Sequence, residues 1–256
     1  MKSFIKSNIS TDRTIFYQYS DNFYKIVYLK NSIEPGYEEL NPKPKDVKKK
    51  TSQDELNRIS QSRTKREIKE IALCNAFTHF ATLTINSEFC DRFSLQACQD
   101  KLKYIIKERI RRNNKDFAYI FITEKHKDGA FHFHGLVKNL DNMYINQNGF
   151  LSHKAFDEIG FNSFLEINEE GTNSYIKVCN YITKYITKDC IKNENNQVYI
   201  SSRGLKRPLK YNIENLNFDD WDYENDFCKI KNIDISSLEF NDYKILTNMV
   251  DKHFLL

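Results

Sequence analysis

The sequence predicts an α+β protein in which helices pack against an antiparallel sheet. Residues 117–124 and 131–137 are rich in aromatic and β-branched residues, and a short polar segment containing a glycine joins them, as in a β-hairpin. Residues 52–74 and 94–112 instead repeat apolar side chains at steps of three and four, which is the periodicity of amphipathic helices. Strands and helices together therefore indicate a mixed architecture.

The other elements are predicted from the same patterns. Ser52 and Ser94 suit the N-caps of the two helices, and prolines at 35, 42 and 44 mark a loop. Residues 1–33 hold strand-like runs or an irregular arm. The other predicted strands are 77–85, 161–167 and 198–202, and the other predicted helices are 154–159 and 171–188.

Composition narrows the classes of function. Hydrophobic residues make up 40% of the 256 residues, which is enough for a sizeable core. The net charge of +4 permits nucleic-acid binding without requiring it. Helix 52–74 has one strongly basic face, which is either a solvated surface or a phosphate-contacting one. Its cations are Arg58, Arg63, Lys65, Arg66 and Lys69.

Several classes of protein are excluded by missing patterns. The six cysteines form no C-x-x-C pair, so reduced thiols are expected rather than a disulfide framework. The sequence has no signal-like apolar run and no stretch long enough for a membrane span, so we expect a cytoplasmic protein with no membrane partner. No G-x-x-x-x-G-K-[ST] motif is present, which excludes a P-loop motor.

The chemistry centres on residues 131–135, which read Phe-His-Phe-His-Gly. Side chains alternate faces along a strand, so His132 and His134 point the same way. Two neutral imidazoles on one face are half of a divalent-metal site. The alternative is a pair of ordinary strand histidines. The other four, His79, His126, His153 and His253, show no such pairing and are interpreted as structural or surface residues.

Glu124 is the best candidate for a third ligand, and the hairpin register decides whether it qualifies. With a loop of residues 127–129, Glu124 lies opposite His132 and shares its face. With a loop of 128–129 alone, Glu124 faces away, because a slip of one residue inverts every side chain. The metal site therefore predicts the longer loop. Two imidazoles and a carboxylate suit Mn²⁺, Mg²⁺ or Zn²⁺, and a phosphodiester substrate favours Mg²⁺ or Mn²⁺.

Residues 181–188, Tyr-Ile-Thr-Lys-Tyr-Ile-Thr-Lys, carry a second signature. On an α-helix, Tyr181 and Tyr185 share a face one turn apart, and Lys184 and Lys188 repeat that step. A strand is the competing interpretation because the run is β-branched, and it would separate tyrosines from lysines. Amphipathic packing, with tyrosines at the border of a core, is the alternative to a functional role. Together with a metal, a phenol can attack a phosphodiester.

These segments together resemble a known family. Residues 80–84 (Phe-Ala-Thr-Leu-Thr), 124–134 and 181–188 are similar, in this order, to the three motifs of rolling-circle replication initiators of the phage and plasmid type, in the HUH endonuclease superfamily. Residues 201–205 are also similar to the segment after the tyrosine helix in that family, and the likeness spans roughly residues 52–208. Two other families are excluded: position 136 is Leu where histidine-triad hydrolases need a third His, and the two H-x-[ST] motifs of two-histidine phosphodiesterases are missing.

The resemblance implies a fold and a division of the chain. The fold is a central five-stranded antiparallel sheet with packed helices and an active site on one sheet face. The division is an N-terminal arm at 1–50, an HUH endonuclease domain at 51–210 and a C-terminal extension at 211–256.

The resemblance also implies an activity. Such proteins nick single-stranded origin DNA, often at a hairpin, keep the 5′ phosphate on a tyrosine and release a 3′ hydroxyl. A host DNA polymerase extends that end, and with no helicase domain the chain would borrow a host helicase in the host cytoplasm. A transposase or relaxase with the same chemistry, or a DNA-binding module without catalysis, are the alternatives.

Carried over residue by residue, the resemblance assigns seven roles. Tyr181 and Tyr185 are nucleophiles, and the helical wheel favours Tyr181 as the first because it lies further from the core. Lys184 and Lys188 position the phosphate. The ligands of Mg²⁺ or Mn²⁺ are His132, His134 and Glu124.

Overall fold

The computed structural model of the protein describes residues 10–21, 23–33, 52–167, 173–186, 198–213, 223–224 and 228–234. The chain divides into two compact units. One consists of residues 52–207, and the other combines residues 1–51 with 208–256.

Twelve strands and three α-helices are defined among the described residues. The strands are β1 (Ser10–Ser20), β2 (Phe23–Ile33), β3 (His79–Ile85), β4 (Ala118–Lys125), β5 (Phe131–Lys138), β6 (Met143–Ile145), β7 (Leu151–His153), β8 (Gly160–Glu166), β9 (Tyr199–Ser201), β10 (Leu209–Ile213), β11 (Tyr223–Glu224) and β12 (Cys228–Asp234). The helices are α1 (Gln53–Leu73), α2 (Leu95–Ile105) and α3 (Asn173–Tyr181). A π-helical turn follows α2 at Ile106–Ile110, and 3₁₀ turns lie at Lys154–Glu158 and Ile182–Tyr185.

The unit of residues 52–207 is built on a five-stranded sheet in the order β8-β3-β5-β4-β9, with every neighbouring pair antiparallel. The predicted α+β class and five-stranded antiparallel sheet are therefore confirmed. The strand that carries the two paired histidines, β5, is the central one. Its backbone is bonded on both sides, which makes it the most constrained position in the sheet.

One face of this sheet is covered by α2. The buried side of the helix includes Cys98, Leu102 and Ile105, which join Leu83 and Phe133 in one hydrophobic cluster. Leu83 and Phe133 alternate along β3 and β5 with the residues of the motifs. The polar motif residues consequently project from the opposite face.

The helix starts agree with the predicted caps. The Ser52 hydroxyl accepts a hydrogen bond from the Glu55 amide at 3.3 Å, and the Ser94 hydroxyl accepts one from the Ala97 amide at 3.4 Å. The end of α2 differs from the prediction, because the α-helix stops at Ile105 and the chain continues as the π-helical turn. The wider turn still buries Ile106 and Ile110, so the apolar stripe continues past the end of the α-helix.

The other unit contains a second antiparallel sheet, in the order β10-β1-β2-β12-β11. Its strands come from both ends of the chain, since β1 pairs with β10 and β2 pairs with β12. Segments 1–50 and 211–256, treated separately in the sequence, thus both contribute to one sheet. Among the described residues, no helix combines the length and the apolar character needed to cross a bilayer.

Gly135 is required by close packing in the centre of the first sheet. A Cβ at this position would lie 2.3 Å from Cδ1 of Phe121 and 2.8 Å from the carbonyl oxygen of Ile120. We expect Gly135→Ala to destabilise the protein by about 1–3 kcal/mol, because overpacking forces a buried ring and a strand backbone to move. Thermal or urea unfolding followed by circular dichroism measures the loss.

A double-mutant cycle identifies the cause. Phe121→Leu combined with Gly135→Ala should lose less stability than the two single changes added together, because the ring that clashes is gone. Strictly additive losses would contradict the proposed clash.

Candidate functional site

The two histidines of β5 lie on the sheet face that α2 does not cover. His134 is 8% exposed and His132 is half-buried, whereas the intervening Phe133 is fully buried on the other side. The alternation expected of a strand is therefore observed. The two imidazoles share one face of the central strand.

The β4–β5 hairpin adopts the longer predicted loop. Glu124 pairs with His132 in the register, and the His126 amide donates to the Ala130 carbonyl at 2.8 Å, which leaves residues 127–129 as the turn. Gly129 has φ +90°, a conformation that favours glycine. The predicted register is confirmed. The Glu124 side chain lies on the same face as both histidines.

Glu124 contacts the nearer imidazole directly. Its Oε2 lies 2.9 Å from Nε2 of His134. Burial lowers the pKa of His134 below its usual value, and Glu124 only partly opposes that shift. Burial likewise lowers the pKa of His132, reinforced by the nearby His126, whose ring stacks on it with a centroid distance of 4.8 Å. Both shifts favour the neutral imidazole, which is the form that binds metals.

Two threonines of β3 orient the imidazoles from the other side. Thr84 Oγ1 lies 3.3 Å from Nδ1 of His132, and Thr82 Oγ1 lies 3.5 Å from Nδ1 of His134. The strand register places each threonine directly across from its histidine. Contacts at Nδ1 leave each Nε2 for another partner. The sequence had indicated these threonines only as part of a strand motif, and what assigns them a role is cross-strand pairing.

The tyrosines lie on the same face, but not on one continuous helix. The α-helix α3 ends at Tyr181, and residues 182–185 form a 3₁₀ turn, so the predicted α-helix through residue 188 is too long. Thr183 Oγ1 donates to the Asn180 carbonyl at 2.7 Å, and such side-chain bonds compete with helix geometry. The β-branched residues that made a strand conceivable thus tighten the last turn.

Tyr185 is placed against the histidine pair. Its ring stacks on His134 with centroids 3.6 Å apart and planes inclined by 14°. Its hydroxyl donates a hydrogen bond to the Tyr181 hydroxyl at 2.9 Å. Burial raises the pKa of Tyr185, as do the bond to Tyr181 and the charge of Glu124. One phenol is therefore held against the imidazoles and joined to the other.

Phe80 forms the floor under this group. Its ring centroid lies 5.7 Å from that of Tyr181, 6.3 Å from that of Tyr185 and 6.1 Å from that of His134. Tyr181 remains 44% exposed. The arrangement fixes both rings and leaves the outer hydroxyl open to solvent.

The position of α3 depends on a buried tyrosine. The Tyr175 hydroxyl donates to the Ala72 carbonyl at 2.7 Å and accepts from the Phe77 amide at 2.9 Å. It thereby ties α3 to the end of α1 and the chain entering β3. Gln61 of α1 also donates to the Ile186 carbonyl at 2.7 Å, just beyond the tyrosines.

Of the two lysines predicted to position phosphate, one is described. Lys184 is exposed, and its Nζ lies 4.9 Å from the centroid of the Tyr181 ring. Lys188 lies outside the described residues. The ammonium of Lys184 is thus beside the more exposed phenol.

The donor set fits a divalent cation by its chemistry. Two imidazoles whose Nδ1 atoms face threonines, with a carboxylate on the adjacent strand, are ligands that Mn²⁺ and Mg²⁺ sites use. Among the described residues, no three His, Cys, Asp or Glu side chains are arranged as a ready-made metal site. Glu124 is instead bonded to His134, so metal binding at these residues would replace that contact.

The remaining histidines and cysteines lie outside this group, with one exception. His126, expected at the surface, is exposed but stacks on His132. His79 and His153 bond to Thr78 and the Ala155 amide, and His253 is outside the described residues. The cysteines described as free thiols are Cys74, Cys90, Cys98 and Cys179.

Comparison with known proteins gives one result for this chain. Residues 78–190 match the family model of the replication-associated proteins of the ORF2 type. The match runs from the threonine strand past the tyrosines and includes all seven predicted site residues. It confirms the resemblance drawn from the three motifs. No curated protein and no solved structure matches the chain.

Proposed function

Because this chain belongs to the replication-associated protein family, of the phage and plasmid type of rolling-circle initiator, we propose that it nicks single-stranded origin DNA with a tyrosine nucleophile. One observation supports this most: the Tyr185 ring lies on His134, and its hydroxyl is bonded to that of Tyr181. Two phenols thus adjoin a pair of imidazoles and a carboxylate. A structural packing role alone does not require these groups to converge.

In this proposal His132, His134 and Glu124 hold Mg²⁺ or Mn²⁺. The chemistry that such a cation supplies is neutralisation of charge on the phosphate oxygens. Thr82 and Thr84 fix the ring orientations by their contacts to Nδ1. Burial keeps the imidazoles neutral, so they are able to act as ligands at neutral pH.

The reaction proposed is a transesterification. A tyrosine oxygen forms a bond to phosphorus, and the bond from phosphorus to the 3′ oxygen breaks. The phenol loses its proton and the 3′ oxygen gains one, so no water is consumed and the 5′ phosphate stays on the protein. The reverse attack by a 3′ hydroxyl rejoins the strand, and a second tyrosine allows cleavage and joining to alternate.

We assign the first attack to Tyr181. It is the more exposed phenol, it accepts the hydrogen bond from Tyr185, and the Lys184 ammonium is beside its ring. An accepted bond stabilises developing negative charge on the Tyr181 oxygen, and a nearby cation orients a phosphate. Lys188 is proposed as the second phosphate-positioning lysine.

The product of this reaction defines the partners. A free 3′ hydroxyl on DNA is a primer end, so a host DNA polymerase would extend it. No P-loop motif is present in the sequence, so we propose that strand separation is supplied by a host helicase.

Adduct mapping tests the proposal. The full chain is incubated with Mn²⁺ and a pool of randomised single-stranded oligonucleotides, denatured, and the covalently attached DNA is sequenced while the modified peptide is identified by mass spectrometry. We expect one recurring DNA sequence joined through its 5′ phosphate to Tyr181 or Tyr185, and no adduct in EDTA. DNA binding without any adduct would refute the nickase and favour a non-catalytic module.

The threonine contacts give a separate prediction. Thr84→Val removes the hydroxyl at Nδ1 of His132 while keeping the shape of the side chain. We expect a loss of about 10- to 100-fold in Mn²⁺ affinity or in adduct formation, which is typical when an outer partner of a ligand is removed. Isothermal titration with Mn²⁺ and the adduct assay measure both quantities.

Thr78→Val is the matched control. Thr78 makes the same kind of contact, 2.9 Å from Nδ1 of His79, away from the site. The control should change neither Mn²⁺ affinity nor the adduct rate. Equal losses in the two variants would contradict an orienting role for Thr84.

A further inference from the structure

The outer surface of α2 and the loop before it carry exposed aromatic rings alternating with cations. Phe89 and Tyr104 are 45% and 49% exposed. The Nζ atom of Lys101 lies 5.9 Å from the centroid of the first ring and 6.0 Å from that of the second. The guanidinium carbon of Arg109 lies 6.0 Å from the Tyr104 centroid on the same surface. We call Phe89, Lys101, Tyr104 and Arg109 the α2 ladder.

The surroundings of the ladder are strongly basic. Residues 95–115 contain seven Lys and Arg against two Asp and Glu. Part of this charge is compensated, since Glu108 contacts Lys107 and Arg112, and Glu158 contacts Arg109 at 2.8 Å. Within the part of the chain that the structure describes, Lys101 makes no ion pair, so the cation between the two rings keeps its charge for a ligand.

The ladder is on the opposite side of the sheet from the tyrosines. The inward side of α2 packs on Leu83 and Phe133, which point away from the face of His132 and His134. Lys101 and Tyr104 lie on the outward side of that helix. A molecule bound at the ladder is therefore separated from the candidate active site by the thickness of a helix and a sheet.

We propose that the α2 ladder binds unpaired nucleotides of single-stranded nucleic acid, at a site distinct from the tyrosine site. Exposed ring faces accept stacked bases, and an ammonium held between rings meets the phosphates that connect them. A duplex keeps its base faces inside its own stack and offers the rings nothing. The excess of positive charge attracts the backbone from a distance. The second site would hold displaced or flanking strand while the tyrosines act elsewhere.

Binding to a labelled oligothymidylate, measured by fluorescence anisotropy at several salt concentrations, tests the proposal. The full chain with Lys101→Ser and Tyr104→Ser should bind about tenfold more weakly. The slope of log K against log salt should fall by about 0.7, the value for one phosphate contact in a single strand. Tyr104→Phe alone should bind normally, because it keeps the ring. Tyr144→Ser with Lys154→Ser, an exposed tyrosine and lysine elsewhere on the unit, is the matched control and should bind like the unchanged chain.

Three results would overturn the proposal: unchanged oligothymidylate binding in the double variant, equal losses in the Tyr144 and Lys154 control, or equal losses for duplex DNA, which would indicate phosphate contact without stacking. Adduct formation on a short origin oligonucleotide is measured in parallel and should be unchanged in the double variant. The two proposals fail separately, since a chain that forms no adduct can still bind oligothymidylate through the ladder.

Discussion

Replacing both tyrosines, Tyr181→Phe with Tyr185→Phe, is expected to abolish the covalent DNA adduct and leave DNA binding intact. Phenylalanine keeps the ring that stacks on His134 and the contacts with Phe80. It removes only the hydroxyl oxygens, which are the proposed attacking atoms. No other tyrosine hydroxyl of the described residues shares this position beside the imidazoles. Denaturing gel electrophoresis with 3′-labelled DNA detects the adduct, and electrophoretic mobility shift measures binding.

The single variants separate the two roles. Tyr181→Phe should eliminate the first cleavage, whereas Tyr185→Phe should slow it and impair strand rejoining, because it removes the hydrogen bond donated to Tyr181. Tyr144→Phe is the matched control, since Tyr144 is another partly exposed tyrosine with a hydroxyl bond, here to Asp157 at 2.8 Å. An adduct formed by the double variant would refute the assignment of the nucleophiles.

Removing the central imidazole is expected to have a comparably large effect. His132→Ala should reduce metal-dependent cleavage about a thousandfold or more, because a divalent cation contributes several kcal/mol to stabilising charge at a phosphate, and each 1.4 kcal/mol is about tenfold in rate. The sheet should remain folded, since His132 is only half-buried and lies on the face away from the hydrophobic cluster. Cleavage rates at several Mn²⁺ concentrations and circular dichroism measure the two properties.

The control for this variant is His79→Ala. His79 is also a half-buried histidine of the same sheet, but its Nδ1 bonds to Thr78 and it lies outside the tyrosine group. The control should cleave normally. A His132→Ala protein that cleaves at the normal rate, or one that cleaves equally well in EDTA, would rule out the metal-ligand role.

Much of the candidate site was predictable because it depends on local periodicity. Alternation along a strand was enough to place His132 and His134 on one face. Loop length then fixed the register that brings Glu124 opposite His132, and the structure confirms it. The helical step likewise predicted that Tyr181 and Tyr185 would be neighbours, even though a 3₁₀ turn replaces the last part of the helix.

Other features depend on residues far apart in the chain. The contacts of Thr82 and Thr84 with the imidazoles need β3 to pair beside β5, and nothing in residues 80–84 alone indicates that partner. The pairing of β1 with β10 joins the two ends of the chain in one sheet in the same way.

The sequence by itself determined which residues carry the chemistry and which face of its own element each occupies, because side-chain direction follows from the strand and helix repeats. The tertiary structure alone decided that Tyr185 stacks on His134 and that Tyr181 stays exposed. Those positions result from how α3 is anchored through Tyr175 and from the Phe80 ring beneath the tyrosines. Packing between distant segments is a property of the assembled core, and no short sequence pattern encodes it.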